Sequence, residues 1–275
     1  MSFIEIQDVS FTYPNGFVAV KNISASIEKG EKLAIIGQNG AGKTTTVKML
    51  NGLLKPTYGT ITIDGQNMKG YTTAQIAKRL GYVFQNPDDQ IFQSDVFSEI
   101  AYGLKKQGMT DDDIAERVRR AAQQAGIEGY LDENPYNLPY STRKFVTIAC
   151  VLAMEVEVVI LDEPTAGQDY VGMQQIAKII NHLQEKNITV ITITHDMEFV
   201  VKNFDRVIVM TNKRIAADKD KREIFWDFDV IEEANIKQPY ISELAHLLRV
   251  EERILSIDEF VDSLLEMKAK ERVTS

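Results

Sequence analysis

The sequence predicts an α/β fold in which a parallel sheet is covered by helices on both faces. Three runs in the second half of the chain, VEVVILDE, TVITITHD and DRVIVM, are rich in β-branched apolar residues. Such runs are typical of strands that are buried on both faces. Helical patterns separate the runs, and strands that alternate with helices favour parallel pairing.

A second, smaller sheet is predicted near the N-terminus. Residues 3–13, 18–27 and 59–65 show alternating apolar residues with turn residues between the runs, which favours an antiparallel sheet. KLAIIG at 32–37 is a continuous apolar run that ends in glycine, and TTTVKMLNGLL at 44–54 has a helical pattern. We expect a buried strand, a glycine-rich turn and a helix in this part of the chain.

The rest of the chain is predicted to be helical at two places. Residues from about 98 to 154 are mostly helical by pattern. We therefore expect a main domain over 1–221, with a helical subdomain at about 86–154, and a helical appendage over 222–275. The appendage carries two amphipathic patterns, formed by Ile241, Leu244, Leu247 and Leu248 and by Phe260, Val261, Leu264 and Leu265.

The composition is that of a globular protein with an acidic surface. Hydrophobic residues make up 44% of the 275 residues and charged residues 26%, and the net charge is −9. That charge argues against nucleic acid as a partner, because surfaces that bind nucleic acid are basic. The single cysteine, Cys150, follows an apolar run, so we expect a small buried side chain rather than a reactive thiol.

Targeting features are not expected. The N-terminal stretch MSFIEIQDVSF has neither the basic lead nor the long apolar core of a secretory signal. No run approaches the roughly 18 apolar residues of a membrane span, so at a membrane the protein would be anchored by other chains. A single cysteine also fits a reducing, cytosolic setting.

A phosphate-binding motif occupies residues 37–44. GQNGAGKT fits the pattern G-x-x-x-x-G-K-[ST] and lies between a predicted strand and a predicted helix, as that motif requires. Glycines let backbone N–H groups surround phosphate oxygens at a helix N-terminus. Lys43 is expected to reach the β- and γ-phosphates, and the Thr44 hydroxyl to ligate Mg²⁺. The alternative is a chance glycine-rich turn. The predicted phosphate-binding residues are Gly37, Gln38, Asn39, Gly40, Ala41, Gly42, Lys43, Thr44 and Thr45.

Two carboxylates follow the apolar run at 158–161. Asp162 suits the Mg²⁺ site, and Glu163 suits polarisation of an attacking water. The alternative is a pair of exposed carboxylates at the end of a strand. The phosphate-binding motif upstream favours the catalytic interpretation, because the two features are parts of one mechanism.

Four stretches in a fixed order carry a resemblance to a known family. GQNGAGKT, Gln85 in YVFQNPDDQ, LDEPTAGQD, and THD at 194–196 make residues 3 to about 215 similar to an ABC-type ATP-binding subunit. The resemblance implies the P-loop NTPase fold of the ABC ATPases, with ATP and Mg²⁺ as cofactors. It makes 1–221 the ATP-binding domain.

The same resemblance implies roles for single residues. Tyr13 would stack on adenine, and Gln85 would link Mg²⁺ and water to a membrane partner. Asp169 would lie in the loop that crosses to the opposite subunit, and His195 would contact the γ-phosphate and orient the catalytic carboxylate. From the residues alone, Tyr13 could be an ordinary strand aromatic and His195 a satisfied structural histidine. The implied catalytic residues are Glu163, His195 and Gln85, and the implied metal ligands are Thr44, Gln85 and Asp162.

A finer resemblance concerns 84–104, 149–167 and the C-terminal tail, which are similar to the energy-coupling factor group of vitamin and metal-ion importers. It implies three partners at the cytoplasmic face of the cell membrane: a second ABC ATPase subunit, an integral membrane coupling subunit and a substrate-capture subunit. The tail, 222–275, resembles the segment through which such ATPases dimerise. An apolar group would line a groove for the membrane subunit, or would instead pack inside the helical subdomain; its members are Ile91, Phe92, Val96 and Phe97.

The segment NLPYSTRKFVTIA at 137–149 departs from the family pattern. In ABC ATPases the helix here begins L-S-G-G-Q, and its Ser and Gly N–H groups face the γ-phosphate of ATP held by the other subunit. Counted back from VTIA, Leu138 matches the leucine, but Pro139 replaces the serine and Tyr140 the first glycine. Proline has no hydroxyl or N–H to offer, and tyrosine places a ring where backbone should approach phosphate.

This departure predicts one half of an unequal ATPase pair. The chain would supply a complete phosphate loop to one ATP site and a defective cap to the other. The alternative is that Ser141 or Thr142, which replace the second glycine and the glutamine, shift into place after local rearrangement.

Two other functions compete with a transport ATPase. Soluble ABC ATPases of translation usually carry two such domains, and those of DNA repair have a long coiled-coil insertion; this chain has room for one domain and lacks such an insertion. A nucleotide sensor that does not hydrolyse would not need Glu163.

Overall fold

The computed structural model describes residues 2–250 and 252–274. In this part of the chain the strands form two sheets. The strands are β1 (Ile4–Thr12), β2 (Val18–Ile27), β3 (Lys32–Ile36), β4 (Tyr58–Ile63), β5 (Gln66–Asn67), β6 (Leu80–Val83), β7 (Val158–Asp162), β8 (Thr189–Ile193), β9 (Arg206–Thr211) and β10 (Arg214–Asp220). The helices are α1 (Lys43–Leu50), α2 (Thr73–Ile76), α3 (Val96–Lys106), α4 (Asp111–Ala125), α5 (Tyr140–Ala153), α6 (Tyr170–Glu185), α7 (Met197–Asn203), α8 (Lys221–Phe225), α9 (Phe228–Glu233), α10 (Tyr240–Leu247) and α11 (Ile257–Thr274).

The larger sheet has the strand order β10-β9-β3-β8-β7-β6. Its pairs are parallel, except for β10, which runs antiparallel to β9. Successive side chains of β3 enter different cores: Leu33 and Ile35 pack on one face of the sheet, and Ala34 and Ile36 on the other. The predicted parallel sheet, covered on both faces, is therefore confirmed.

The smaller sheet has the order β2-β1-β4-β5 and is antiparallel throughout. Ile4 of β1 pairs with Ile63 of β4. Both side chains are fully buried and share a core with Leu33 and Ile191 of the larger sheet. This sheet therefore covers one face of the parallel sheet, and the predicted antiparallel sheet is confirmed.

Three helices, α3, α4 and α5, pack together on the other side. Ile100, Val118 and Val146, one from each helix, are fully buried in a common core. Asp95 caps α3, since its Oδ1 accepts a hydrogen bond of 2.7 Å from the backbone N–H of Ser98. A carboxylate at this position satisfies a free N–H and complements the helix dipole. The mostly helical region predicted from the sequence is present.

The helix predicted over 44–54 is shorter in the structure and ends at Leu50. Gly52 has a φ of 75°, a left-handed conformation that stops a helix and suits glycine. A Cβ at this position would lie 2.5 Å from Cδ1 of Ile76. The chain therefore turns here because a second segment packs against the glycine.

The C-terminal helices enclose a small core of their own, which contains Ala245 and Phe260. The Trp226 indole N–H and the buried Ser242 hydroxyl both donate to the carbonyl oxygen of Ile254, at 3.0 and 2.7 Å. These bonds fix the loop between α10 and α11 onto α8. The division of the chain at residue 221 stays a prediction.

Of the eight side chains in the two predicted apolar patterns of this segment, three are packed and five are exposed. Ile241, Phe260 and Leu264 pack in the small core. The remaining side chains are between 42% and 70% exposed, and they are Leu244, Leu247, Leu248, Val261 and Leu265. We call these five side chains the tail stripe. Among the described residues, no helix has the length and apolar character to cross a membrane.

Candidate active site

The motif residues meet at one edge of the parallel sheet. The glycine-rich loop follows β3, His195 follows β8, Asp162 ends β7, and Gln85 follows β6. Those four strands are neighbours. Because the carboxyl ends of parallel strands share an edge, residues more than 150 positions apart come together there. They line a cleft of about 250 Å³, which we call the nucleotide cleft.

Most of the predicted binding residues line this cleft. Gly37 and Gln38 lie beside it and contact Lys43 instead. Phe17 and Ala19 also line the cleft, although the sequence interpretation did not include them. The predicted residues that line it are Tyr13, Asn39, Gly40, Ala41, Gly42, Lys43, Thr44, Thr45, Gln85, Asp162, Glu163 and His195.

The glycines of the loop have a conformational reason. Gly42, immediately before α1, has a φ of 103°, and Gly37 has a φ of 140°. A Cβ on Gly37 would lie 2.0 Å from the carbonyl oxygen of Met210. Only glycine fits both the backbone angle and this close approach. The loop therefore brings backbone N–H groups to the N-terminus of α1, where anions bind.

Lys43 is buried, and its ammonium group is held by the loop. Its Nζ donates to the carbonyl oxygens of Gly37 at 2.6 Å and Gln38 at 3.1 Å. Burial lowers the pKa of Lys43, and the nearby charges of Glu163 and Asp162 oppose that shift. The lysine thus faces the two carboxylates across the nucleotide cleft.

Asp162 fits a metal site. Its Oδ2 accepts a hydrogen bond of 2.6 Å from the Tyr82 hydroxyl. Its Oδ1 is buried and has no hydrogen-bond partner among the described residues. Together with the Thr44 hydroxyl and the Gln85 amide, it provides the oxygen donors that Mg²⁺ prefers. No group of three or more His, Cys, Asp or Glu in the described chain could hold a metal.

Glu163 and His195 form a coupled pair. Nε2 of His195 lies 3.1 Å from Oε1 of Glu163, and the His195 backbone N–H donates to Oε2 at 3.3 Å. Glu163 has a φ of 49°, which turns its side chain out of β7 into the cleft. Burial raises the pKa of Glu163 to about 7 and lowers that of His195. The carboxylate is therefore positioned by its neighbour strand and is basic enough to accept a proton near neutrality.

Two aromatic side chains stand at the outer end of the cleft. Tyr13 is half-buried and lies edge-on to Phe11, with ring centroids 4.9 Å apart. Phe17 is 52% exposed, and its centroid lies 6.3 Å from that of Tyr13. Lys213 Nζ lies 4.4 Å from the Phe17 centroid. The sequence could have revealed Phe17 as a cleft residue, because it is an aromatic residue only four positions after Tyr13.

Residues 138–142, which differ from the family's L-S-G-G-Q pattern, lie at the start of α5 and do not line the nucleotide cleft. Pro139 is the N-cap residue and makes no side-chain cap. The Tyr140 ring lies against Gly167, where a Cβ would be 3.1 Å from two ring carbons. Nε2 of Gln168 donates to the carbonyl oxygen of Ser141 at 3.1 Å. The start of α5 thus packs on the loop that follows Glu163.

Asp169 is exposed and caps α6, since its Oδ1 accepts from the backbone N–H of Gly172 at 2.8 Å.

The apolar group at 91–97 is divided between two roles. Ile91 and Val96 are buried in the core of the helical layer, and Phe97 is partly buried against it. Phe92 is 59% exposed and meets Tyr102 edge-on, with centroids 4.7 Å apart. Internal packing therefore accounts for three of these residues, and Phe92 alone is presented on the surface.

A larger cleft, of about 520 Å³, lies between α4, α5 and α6. It contains none of the motif residues, and two of its arginines, Arg117 and Arg120, are paired with Glu155. Cys150 is partly buried, and burial raises its pKa above the ordinary range, which disfavours the reactive thiolate.

The fold and this geometry define a P-loop ATPase of the ABC type. Residues 20–166 match the model of the ABC transporter family. The chain belongs to the family of ABC transporter ATP-binding proteins, and it is an ATPase whose hydrolysis is coupled to transport.

Relatives within that family share most of their length with this chain. The energy-coupling factor transporter ATP-binding protein EcfA of Methanocaldococcus jannaschii is 38% identical over 256 residues, 92% of each chain. EcfA of Methanococcus maripaludis is 36% identical over the same share. The structure of cbiO1 from Clostridium perfringens, described as part of the ABC transporter complex cbiONQ, is 34% identical with a TM-score of 0.76, covering 90% of this chain and 99% of that one. The resemblance to energy-coupling factor ATP-binding subunits is confirmed.

Proposed function

We propose that this chain is the ATP-binding and hydrolysing subunit of an energy-coupling factor type importer of vitamins or metal ions, and the unequal half of an ATPase heterodimer. One contrast carries the proposal. The nucleotide cleft brings together Lys43, Asp162 and the bonded pair Glu163–His195, whereas α5 starts with Pro139 and Tyr140. The chain therefore has complete machinery for its own ATP and a defective cap for its partner's.

In the competent site each residue has one task. Backbone N–H groups of residues 39–45 surround the phosphates, and Lys43 neutralises β- and γ-phosphate charge. Thr44, Gln85 and Asp162 hold Mg²⁺, which supplies charge neutralisation at the transferred phosphoryl group when bound. The unpartnered Oδ1 of Asp162 supports that assignment.

Hydrolysis and base recognition involve four further side chains. Glu163 polarises the attacking water, and His195 orients Glu163 and reaches the γ-phosphate. The 3.1 Å contact between the two supports these roles. Tyr13 stacks on adenine, and Phe17 extends the apolar surface beside it.

The second site of the pair would turn over slowly. Pro139 has no N–H or hydroxyl, and Tyr140 replaces a glycine of the family pattern with a bulky ring that packs on Gly167. Loss of one preorganised donor of this type typically lowers the rate ~10²–10³-fold. The partner ATPase therefore contributes an intact cap, and this chain contributes the catalytic residues.

Two surfaces suit two of the expected partners. The tail stripe, exposed on α10 and α11, suits a second ATPase subunit. The exposed aromatics Phe92, Tyr102 and Tyr136 suit an apolar helix of an integral membrane coupling subunit. A separate subunit captures the substrate, so this chain works at the cytoplasmic face of the membrane without touching the cargo.

The test compares two lysine variants in the complex purified with its partner ATPase and membrane subunit. Lys43→Ala should abolish most ATP hydrolysis, because it disables the site with the intact cap. Alanine at the phosphate-loop lysine of the partner should cost little hydrolysis, because the site it disables is already slow. Equal losses from the two variants would show that the sites are equivalent and would exclude the unequal pair.

A further inference from the structure

Lys144, in the second turn of α5, has no role in the scheme above. It is fully buried, with an exposed fraction of 0%. Its Nζ donates to the carbonyl oxygen of Phe84 at 3.1 Å and also to that of Gln85. Burial lowers its pKa to about 8, and Asp162 and Glu163 oppose that shift. Burial of an ammonium group costs free energy even when its N–H donors are hydrogen-bonded. The position of Lys144 therefore calls for a functional explanation.

The start of α5 holds the same loop at two more points. The Tyr140 hydroxyl, four residues before Lys144 and therefore on the same helix face, lies 3.4 Å from the Gln85 carbonyl oxygen. Nη1 of Arg143 forms an ion pair of 2.7 Å with Asp88. We call residues 84–92 the Gln85 loop. The helix that carries the defective cap is thus bonded to the loop that carries a predicted metal ligand.

Lys144 and Tyr140 both bond to the backbone carbonyl of Gln85, while the exposed Gln85 side chain lines the nucleotide cleft. A side chain on a loop has a defined position only if the backbone of the loop is held in place. Lysine suits this task because its three donors can satisfy two carbonyl oxygens at once.

We infer that Lys144 is a positioning residue, which fixes the Gln85 backbone so that the Gln85 side chain faces Mg²⁺ and the attacking water, and which makes α5 and the Gln85 loop move as one body. The inference rests on the proposed function, in which Gln85 is a ligand of Mg²⁺. The Gln85 loop also carries Phe92, which is exposed at the surface proposed for the membrane subunit. Movement of that surface would therefore shift Gln85 and the cap together.

The first measurement needs no hydrolysis. Amide hydrogen exchange of the full chain should be faster in the Gln85 loop of Lys144→Met than in the wild type. Lys144→Gln keeps an N–H donor without the charge and should restore most of the protection. Tyr140→Phe, which removes one hydroxyl and keeps the ring, should give a smaller increase. Exchange of β9 and β10 serves as the internal reference. Unchanged exchange of the Gln85 loop in Lys144→Met and Tyr140→Phe would overturn the inference.

The second measurement is ATP hydrolysis by the assembled complex. Lys144→Met should lower kcat about 10- to 100-fold, as loss of an outer partner of a metal ligand does, with KM for ATP within about twofold. In a Gln85→Ala background the same change should cost nothing further, because the group it positions is gone. A merely structural role predicts an equal loss in both backgrounds.

The outcomes separate the two proposals. Wild-type kcat for Lys144→Met, or a Lys144→Gln variant as impaired as Lys144→Met, would overturn the positioning role. Full hydrolysis by Lys43→Ala would instead overturn the proposed function, whatever Lys144 does. If Lys144→Met does not fold, Tyr140→Phe carries the exchange measurement, and unchanged exchange of the Gln85 loop in that variant would overturn the inference.

Discussion

Glu163 and His195 contact each other twice, through the imidazole at 3.1 Å and through the His195 backbone N–H at 3.3 Å. The two residues follow neighbouring strands, β7 and β8, and are 32 positions apart in the chain. The double contact holds the carboxylate in one orientation at the edge of the nucleotide cleft. A water-polarising group needs such fixed placement, because misplacement by about 1 Å can lower the rate ~10²-fold.

Glu163→Gln should preserve ATP binding and slow hydrolysis. The amide keeps the size and shape of the side chain but cannot accept a proton, and a general base typically contributes ~10²–10⁴ in rate. The measurement is steady-state hydrolysis by the complex, beside ATP affinity of the isolated chain. A wild-type rate in the complex with a competent partner would exclude Glu163 as the catalytic carboxylate.

Pro139→Ser combined with Tyr140→Gly should raise turnover at the weak site. The double change restores a hydroxyl and a backbone N–H, and it removes the ring that packs on Gly167. The gain should be measured with Lys43→Ala in the same chain, which silences the competent site, and Lys43→Ala alone is the control. No gain would mean that other residues of the weak site are also deficient.

Tyr13→Ala and Phe17→Ala should each weaken ATP binding. Stacking of a base on an aromatic ring is worth ~1–3 kcal/mol, and Phe17 is held from one side by Lys213. Binding of inorganic tripolyphosphate should not change, because it has no base to stack on the rings. Isothermal titration of both ligands checks this. Parallel losses for the two ligands would place the rings outside the base site.

Leu247→Ser with Leu265→Ser should weaken subunit pairing and leave ATP binding unchanged. Both side chains belong to the tail stripe and are at least 60% exposed, so their removal does not disturb a core. Tyr58→Ser, at an exposed aromatic on the smaller sheet, is the matched control. Sedimentation of each variant with the partner ATPase decides the question. Undiminished association would show that the stripe is not the dimer contact.

Point changes are preferable here to deletion of residues 222–275. Ile224 and Phe225 of α8 are fully buried in the core of the main domain. Deletion of α8 would therefore destabilise the whole chain, and a loss of pairing would then have two explanations.

A fall in pH should destabilise the C-terminal helices, because it protonates Glu259. Its carboxylate accepts hydrogen bonds from Arg222 at 2.7 and 3.0 Å, and this pairing is the largest cause that lowers its pKa from 4.5 to about 2. A lowered pKa contributes stability that is present above pH 4.5 and is lost as the pH falls toward 2. Since both side chains are partly exposed, the contribution should stay below about 1 kcal/mol.

The comparison of wild type with Glu259→Gln measures this contribution. The difference in urea midpoint should be largest near neutral pH and should shrink below pH 4.5. Trp226 is the single tryptophan and donates to Ile254 beside this ion pair, so its fluorescence reports the local transition. A difference that does not depend on pH would assign the effect to packing.

Features that depend on neighbouring residues in the chain were predictable. The phosphate loop is a contiguous motif between a strand and a helix, and Asp162 and Glu163 follow a run whose period indicates a buried strand. In both cases, local backbone preference and residue type carry the information. The replacement at Pro139 and Tyr140 was visible only through the family resemblance, because it departs from the contiguous pattern of that family.

Features that depend on distant contacts were decided only by the tertiary structure. Lys144 donates to carbonyl oxygens 59 and 60 positions away. Lys213 lies against the ring of Phe17, which is 196 positions earlier in the chain (213 − 17). Ile91 is buried in the core that contains residues of α3 and α5, whereas Phe92, one residue later, is exposed. An apolar side chain has no preference between an internal core and a partner's surface, because both remove it from water. Three-dimensional packing makes that choice.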